Sequence, residues 1–268
     1  MVEIKGCLNK LREERPLIHH ITNVVTVSEC ANITLNLGAL PVMAYDRDEV
    51  AEMVQAAGAL VLNIGTLTSE EVDAMIVAGK KANELDIPVI FDPVGVGATE
   101  LRNQAADRIL REIDVSFIKG NEAEINILAG QEGEIKGVES VGNYENMAET
   151  AKNFAAKSDS IVIVSGEKDL VTDGSRTFLV SNGHYLMGRV VGTGCMAASV
   201  VGSFAGVDGK TIKNALAGMV SFGIVGEIAA ENTTVHGPGS YKVALFDAMH
   251  GLNEEFIARN ENYDEIEV

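Results

Sequence analysis

An α/β protein built on a mostly parallel sheet, covered on both faces, is what this sequence predicts. Three observations predict it. Strand-like and helix-like segments alternate along most of the chain. The strand-like runs at 59–64, 87–91, 115–118 and 160–164 are short and continuously apolar, as in strands buried on both faces. Helical patterns lie between them and supply the crossovers a parallel sheet requires. No linker-like stretch divides the 268 residues, so one domain spanning 1–268 is expected.

The elements follow in order. Residues 24–38 read as helical and 40–45 as a short strand, the first in the chain. Residues 46–57 form a helix from an acidic start, and 59–64 a strand. Ser69 caps a helix that runs to about residue 85, with Glu70, Glu71 and Asp73 in its first turn, where the helix dipole favours carboxylates. Strand 87–91, helix 99–112, strand 115–118 and helix 121–129 come next. Residues 130–143, rich in Gly and Glu with weak periodicity, read as a surface excursion. Helix 146–157 and strand 160–164 precede two short strands, 169–172 and 176–180, that flank Asp173-Gly174, a hairpin signal. Residues 185–191 read as β-like. Beyond them the pattern is helical, at 193–205, 210–231 and 240–259. The acidic tail 260–268 is expected to fray.

Composition narrows the function. A formal net charge of −18 argues against nucleic acid and against anionic membranes, both of which select Lys and Arg clusters. No stretch has about 18 unbroken apolar residues, and the first residues lack the apolar core of a secretory signal. The three cysteines, Cys7, Cys30 and Cys195, have no CxxC spacing, which disfavours a disulfide framework or structural zinc and suits a reducing cytoplasm. Cys7 and Cys30 lie in helix-like patterns and read as small buried hydrophobes.

Gly192-Thr193-Gly194-Cys195 is the most informative motif. Two glycines let the backbone turn sharply and let a ligand approach. The amides of the helix start that follows converge where the dipole favours an anion, with the Cys195 sulfur beside them. That combination suits phosphoryl or acyl transfer. In parallel sheets ligands sit beyond the carboxyl ends of the strands, which directs attention to the residues there. Asp92, in Asp92-Pro93-Val94-Gly95, reads equally as a Mg²⁺ carboxylate or a turn residue. Asn121 and Glu124 make almost a capping box, so Glu124 is either a cap or a second carboxylate near the same metal. Lys119 could pair with a phosphate or be a solvated charge, and Ser165 could bond a phosphate or simply turn the chain. His19 and His20 are adjacent and point apart, so a shared metal is not expected. Met43 reads as core, although a thioether also suits a flat heteroaromatic ligand. No GxxxxGK[ST] loop, GxGxxG fingerprint, GxSxG elbow or HExxH pattern occurs.

Taken together, the segments 16–23, 59–67, 91–95, 120–124 and 192–195 resemble those of the hydroxyethylthiazole kinase family, in the ribokinase-like superfamily. The resemblance covers nearly the whole chain, and the Cys that ends the last motif, where the wider superfamily has Asp, singles out this family. It implies a three-layer α/β/α sandwich. The implied reaction moves the γ-phosphoryl group of ATP to the primary alcohol of 4-methyl-5-(2-hydroxyethyl)thiazole, in thiazole salvage for thiamine synthesis. A homotrimer with the thiazole pocket at a subunit boundary is also implied. Met43 and Gly192 match substrate-contacting positions, with Asn23 and Gly65 on the same side. Lys119 and Ser165 match ATP-contacting positions, where many relatives carry Arg and Thr, and Asn121, Thr193 and Gly194 join them. Asp92 and Glu124 match the acidic pair near Mg²⁺. Cys195 is the expected catalytic residue, and a thiol at a helix start would be partly ionised, ready to take the hydroxyl proton. The alternatives are another ribokinase-like kinase, such as a hydroxymethylpyrimidine kinase, a Cys-nucleophile transferase using His184 or His236 as base, and a non-catalytic thiazole or thiamine binding protein.

Overall fold

Side chains in the strand 59–63 alternate between two separate cores, and that alternation makes the layers. Ala59 and Val61 join one apolar cluster, Leu60 and Leu62 the other. The computed structural model describes residues 2–130 and 143–268, so most of the 130–143 excursion lies outside the described residues.

In chain order the first half comprises α1 (Cys7–Glu14), β1 (Leu17–Ile21), α2 (Val27–Leu37), β2 (Leu40–Met43), α3 (Val50–Gln55), β3 (Ala59–Asn63), α4 (Ser69–Glu84), β4 (Val89–Asp92), α5 (Glu100–Glu112), β5 (Phe117–Asn121) and α6 (Glu122–Leu128). The second comprises α7 (Asn143–Ser158), β6 (Ile161–Ser165), β7 (Asp169–Thr172), β8 (Thr177–Val180), a 3-10 helix (Tyr185–Arg189), α8 (Thr193–Asp208), α9 (Ile212–Glu231), α10 (Pro238–Gly251), α11 (Glu254–Asn260) and β9 (Tyr263–Ile266). The strands form one sheet in the order β2-β1-β3-β4-β5-β6-β7-β8-β9. Strands β1 to β6 pair in parallel, and β7, β8 and β9 extend the sheet antiparallel. Helices α1, α2, α8, α9 and α10 contribute to the cluster on one face, and α4 to α7 to that on the other. The fold is the expected three-layer α/β/α sandwich around a mostly parallel sheet.

The order reverses at β1, which has β2 on one side and β3 on the other. A crevice opens at such a reversal, beyond the carboxyl ends of the strands. Asn23 follows β1 there, and Asn63, Asp92, Asn121 and Ser165 are the last residues of β3, β4, β5 and β6. Helix α9 is apolar enough over 20 residues to match a membrane span by composition, yet most of it is packed inside the protein.

Several expectations need correction. β1 was not anticipated: its two histidines interrupt the apolar pattern, but both are buried and bonded, His19 Nε2 to the Ala44 carbonyl (2.6 Å) and His20 Nε2 to Ser199 Oγ (3.2 Å). Lys119 lies within β5 rather than after it, opposite Ile163. Thr68, not Ser69, caps α4, in a capping box with Glu71. Residues 185–189 form a 3-10 helix rather than a strand, started by His184 Nδ1 accepting from the Leu186 N–H. The pattern at 240–259 is two helices, because Asn253 caps α11 through the Phe256 N–H (2.9 Å). The acidic tail does not fray. It forms β9 on the edge of β8, where Arg176 holds both oxygens of Glu265 (2.7 and 2.6 Å) and Tyr263 Oη donates to the Val2 carbonyl (2.6 Å).

Candidate active site

Gly192 caps α8 with φ of 96°, a left-handed conformation that glycine adopts without a Cβ penalty. There is also no room for a side chain: a Cβ would lie 2.6 Å from Thr26 Cγ2. Thr193 Oγ1 then donates to the Met187 and Val190 carbonyls (2.9 and 3.2 Å), which ties the 3-10 turn to the helix start. The backbone N–H groups of Thr193, Gly194 and Cys195 have no acceptor among the described residues. Lys119 Nζ approaches the same spot, 3.2 Å from where a Cβ on Gly194 would sit. Lys119 is 3% exposed, and its Nζ makes no hydrogen bond or ion pair with a described residue. A lysine amine beside unbonded amides is a receptor for an anion.

A chain of amides runs from this point to the sheet. The Thr26 N–H and Oγ1 both donate to Asn23 Oδ1 (3.0 Å each). Asn23 Nδ2 donates to Asn63 Oδ1 (2.9 Å) and to Cys195 Sγ (3.4 Å). Asn63 Nδ2 donates to Asp92 Oδ2 (2.6 Å) and to the same sulfur (3.3 Å). Asn23, Asn63, Gly65, Asp92, Gly192 and Cys195, which come from four segments, therefore share one cluster. The Gly65 N–H is itself engaged, by Asn63 Oδ1 (2.9 Å).

Burial pushes the Asp92 carboxyl up to about 6, against the pull of Lys119 and with the added repulsion of Glu124. The Cys195 thiol is also raised, by burial first and then by the negative charge of Asp92. The expectation of a partly ionised thiol is thus corrected: desolvation and a neighbouring carboxylate both favour the protonated form. Glu124 completes the capping box, accepting from the Asn121 N–H (2.8 Å), while its other oxygen accepts from the Gly95 N–H (2.8 Å). The cap and the second-carboxylate readings are therefore compatible, since each oxygen keeps a lone pair facing away from these donors.

A cleft of about 740 Å³ opens beside the helix start, lined by Ser165, Gly166, Asp169, Asn182, Tyr185 and Thr193 among others. A second hollow, near Asp86, Asp114 and Lys157, contains none of the residues named as site candidates. Met43 ends β2, next to β1, and none of the bonds in the amide cluster reaches it. His184 and His236 do not partner the thiol, whose protein donors are the two asparagines, so a Cys–His pair is absent among the described residues.

Four contributors escape sequence reasoning. Asn63 is the hub of the cluster, and a polar residue closing an apolar strand was its only signal. Thr26 orients Asn23. Arg102 Nη1 donates to the Ile64 and Val94 carbonyls (2.7 and 2.6 Å) and its Nη2 to that of Gly65 (2.8 Å), binding the loops after β3 and β4 into one unit. Asp169, pushed up to about 6 by burial, lines the cleft and accepts from the Gly166 N–H (3.0 Å).

Residues 8–255 match the model of the hydroxyethylthiazole kinase family. A hydroxyethylthiazole kinase from Thermoanaerobacter sp. (strain X514) is 55% identical over 260 residues, covering 97% of this chain and 99% of that protein. A solved structure of a hydroxyethylthiazole kinase protein from Pyrococcus horikoshii OT3 superposes with a TM-score of 0.90 at 41% identity, covering 98% and 99% of the two chains. A ribokinase-like superfamily protein from Enterococcus faecalis V583 shares the fold, with a TM-score of 0.63 at 13% identity over 91% of this chain and 94% of that one.

Proposed function

The chain belongs to the hydroxyethylthiazole kinase family, and we propose on that premise that it phosphorylates the primary alcohol of 4-methyl-5-(2-hydroxyethyl)thiazole with ATP, in thiazole salvage for thiamine synthesis. The observation that carries this reading is the start of α8, where three unbonded amides and Lys119 Nζ converge beside Cys195. Phosphoryl transfer needs positioning and charge stabilisation more than covalent chemistry, and this arrangement supplies both. The Thr193 and Gly194 amides and Lys119 bind the migrating phosphoryl group, and Ser165 and Asn121 border the nucleotide. Met43, Gly192, Asn23 and Gly65 border the thiazole.

The acceptor hydroxyl lies beside Cys195. Cys195 can take the hydroxyl proton only as thiolate, which the raised pKa keeps scarce, so as the alcohol oxygen bonds to the γ-phosphorus and ADP departs the proton passes to the sulfur late, in keeping with a loose transition state. Magnesium fits the donors present. Asp92 and Glu124 are oxygen ligands close enough for one to raise the other. No group of three His, Cys, Asp or Glu side chains suited to a metal occurs among the described residues, so the ion would take its remaining ligands from nucleotide and water. Bound there, it supplies charge neutralisation on the phosphate oxygens.

The chain acts as one kinase domain in the cytoplasm and as a homotrimer. Support for assembly comes from the exposed Val24, Val25, Leu35, Tyr45 and Val243, which lie on or beside β2, α2 and α10. Met43 ends the same edge strand, which suits a substrate pocket shared between subunits. A coupled ADP-release assay tests the activity, run with the thiazole alcohol and with hydroxymethylpyrimidine, each with and without Mg²⁺. Release that depends on the thiazole alcohol is expected. Stimulation by the pyrimidine alone would overturn the assignment.

A further inference from the structure

Asn63 spends the whole hydrogen-bonding capacity of its amide inside the site. It is 2% exposed, and strand register sets it directly opposite Asp92. Its oxygen accepts from Asn23 Nδ2 and from the Gly65 N–H, and its nitrogen donates to Asp92 Oδ2 and to Cys195 Sγ. Two donors and two acceptor sites are all an amide has.

The orientation of that amide is determined by its partners. A backbone N–H can only donate, so the atom facing Gly65 must be oxygen. The atom facing the Asp92 carboxylate must then be nitrogen, and the reverse would set two oxygens against each other at 2.6 Å. The same logic fixes Asn23, whose oxygen takes both the N–H and the hydroxyl of Thr26. Both asparagines therefore aim N–H groups at the sulfur, and the thiol hydrogen is directed away from both.

We propose that Asn63 is a positioning residue for phosphoryl transfer: one planar amide sets the Asp92 carboxylate, the Cys195 sulfur and the Asn23 amide relative to each other. The role rests on the kinase reading and acts through Asp92 and Cys195, not through contact with substrate. No other common side chain of this size offers two donors and two acceptor sites in one plane. Aspartate keeps the shape and the acceptors for Asn23 and Gly65 but loses both donors. Serine is too short to span the partners.

Asn63→Asp and Asn63→Ser are the test, read by steady-state kinetics, thermal melting and a crystal structure of each variant that folds. In both, kcat is expected to fall about 10- to 100-fold. KM for ATP should hold, and the crystal structures should show the Asp92 and Cys195 side chains turned from their present places. Holding the Gly65 turn alone predicts something different: Asn63→Asp would keep its kcat. Unchanged kcat in either variant, or Asp92 and Cys195 unmoved in the crystal, would overturn the proposal. If the unaltered protein released no ADP in response to the alcohol, the kinase reading would fall, and the crystallographic arm would still decide whether Asn63 places the two groups.

Discussion

Replacing Gly192 by alanine tests how the helix start is built. At φ of 96° a residue with a Cβ costs about 1–2 kcal/mol. The added methyl would sit 2.6 Å from Thr26 Cγ2 and 3.0 Å from Thr26 Cβ, so Thr26 must move. Thr26 is buried, and its displacement strains the hydroxyl bond to Asn23 Oδ1, worth about 0.5–1.5 kcal/mol. The sum is about 1.5–3.5 kcal/mol. For a chain of this size that lowers the melting temperature by about 3–14 °C. Activity should suffer more than stability, because Asn23 loosens its hold on the sulfur: kcat should fall about 100-fold. Differential scanning calorimetry and the coupled ADP assay on the same preparation measure both. A Gly192→Ala protein that melts within a degree of the unaltered one, with unchanged turnover, would refute the packing argument.

Three further outcomes are expected. Gly194 lies in the first turn of α8 without a positive φ, so Gly194→Ala should stabilise by about 0.5–1 kcal/mol in urea melts while raising KM for ATP, because the methyl meets Lys119 Nζ. Iodoacetamide should label Cys195 well before the buried Cys7 and Cys30, and ATP should slow that labelling; mass spectrometry showing equal rates would place the nucleotide away from α8. Asp169 has its carboxyl raised from 3.8 to about 6, so the folded state holds its proton more tightly than the unfolded chain. Its contribution to stability is complete at low pH and is lost as pH rises through about 6. Asp169→Asn keeps an acceptor for the Gly166 N–H. It should match the unaltered protein near pH 4 and exceed it by about 1–2 kcal/mol at pH 7.5, a figure reduced for partial exposure.

The central strands were legible because each is buried on both faces and reads as an unbroken apolar run, as Ala59–Asn63 and Ile161–Ser165 do. β1 was hidden by His19 and His20, whose burial depends on hydrogen-bond partners supplied by distant residues, Ala44 and Ser199. The apolar pattern of Tyr185, Leu186 and Met187 imitates a strand, but the free edge of β8 belongs to β9, some eighty residues later. Long-range competition of that kind leaves no local trace. In the site, the glycines and cysteine of the 192–195 motif stood out because backbone geometry demands them. Asp92 stood out because it closes a strand. Asn63 closes a strand too, yet its role comes from register with Asp92 and from the loop after the neighbouring strand β1. Arg102 sits on a helix whose pattern reads as solvent-facing, and only folding brings it to the loops it ties together.

The two margins of the sheet are chemically unlike. β9 ends one margin with Asp264 and Glu265 among four residues, and only Glu265 is neutralised by a bonded arginine. A negatively charged rim repels a second copy that would dock strand to strand, a common device against runaway stacking. The opposite rim, β2, reads Leu-Pro-Val-Met and carries no charge. Self-association should therefore be one-sided at neutral pH and end in a closed particle.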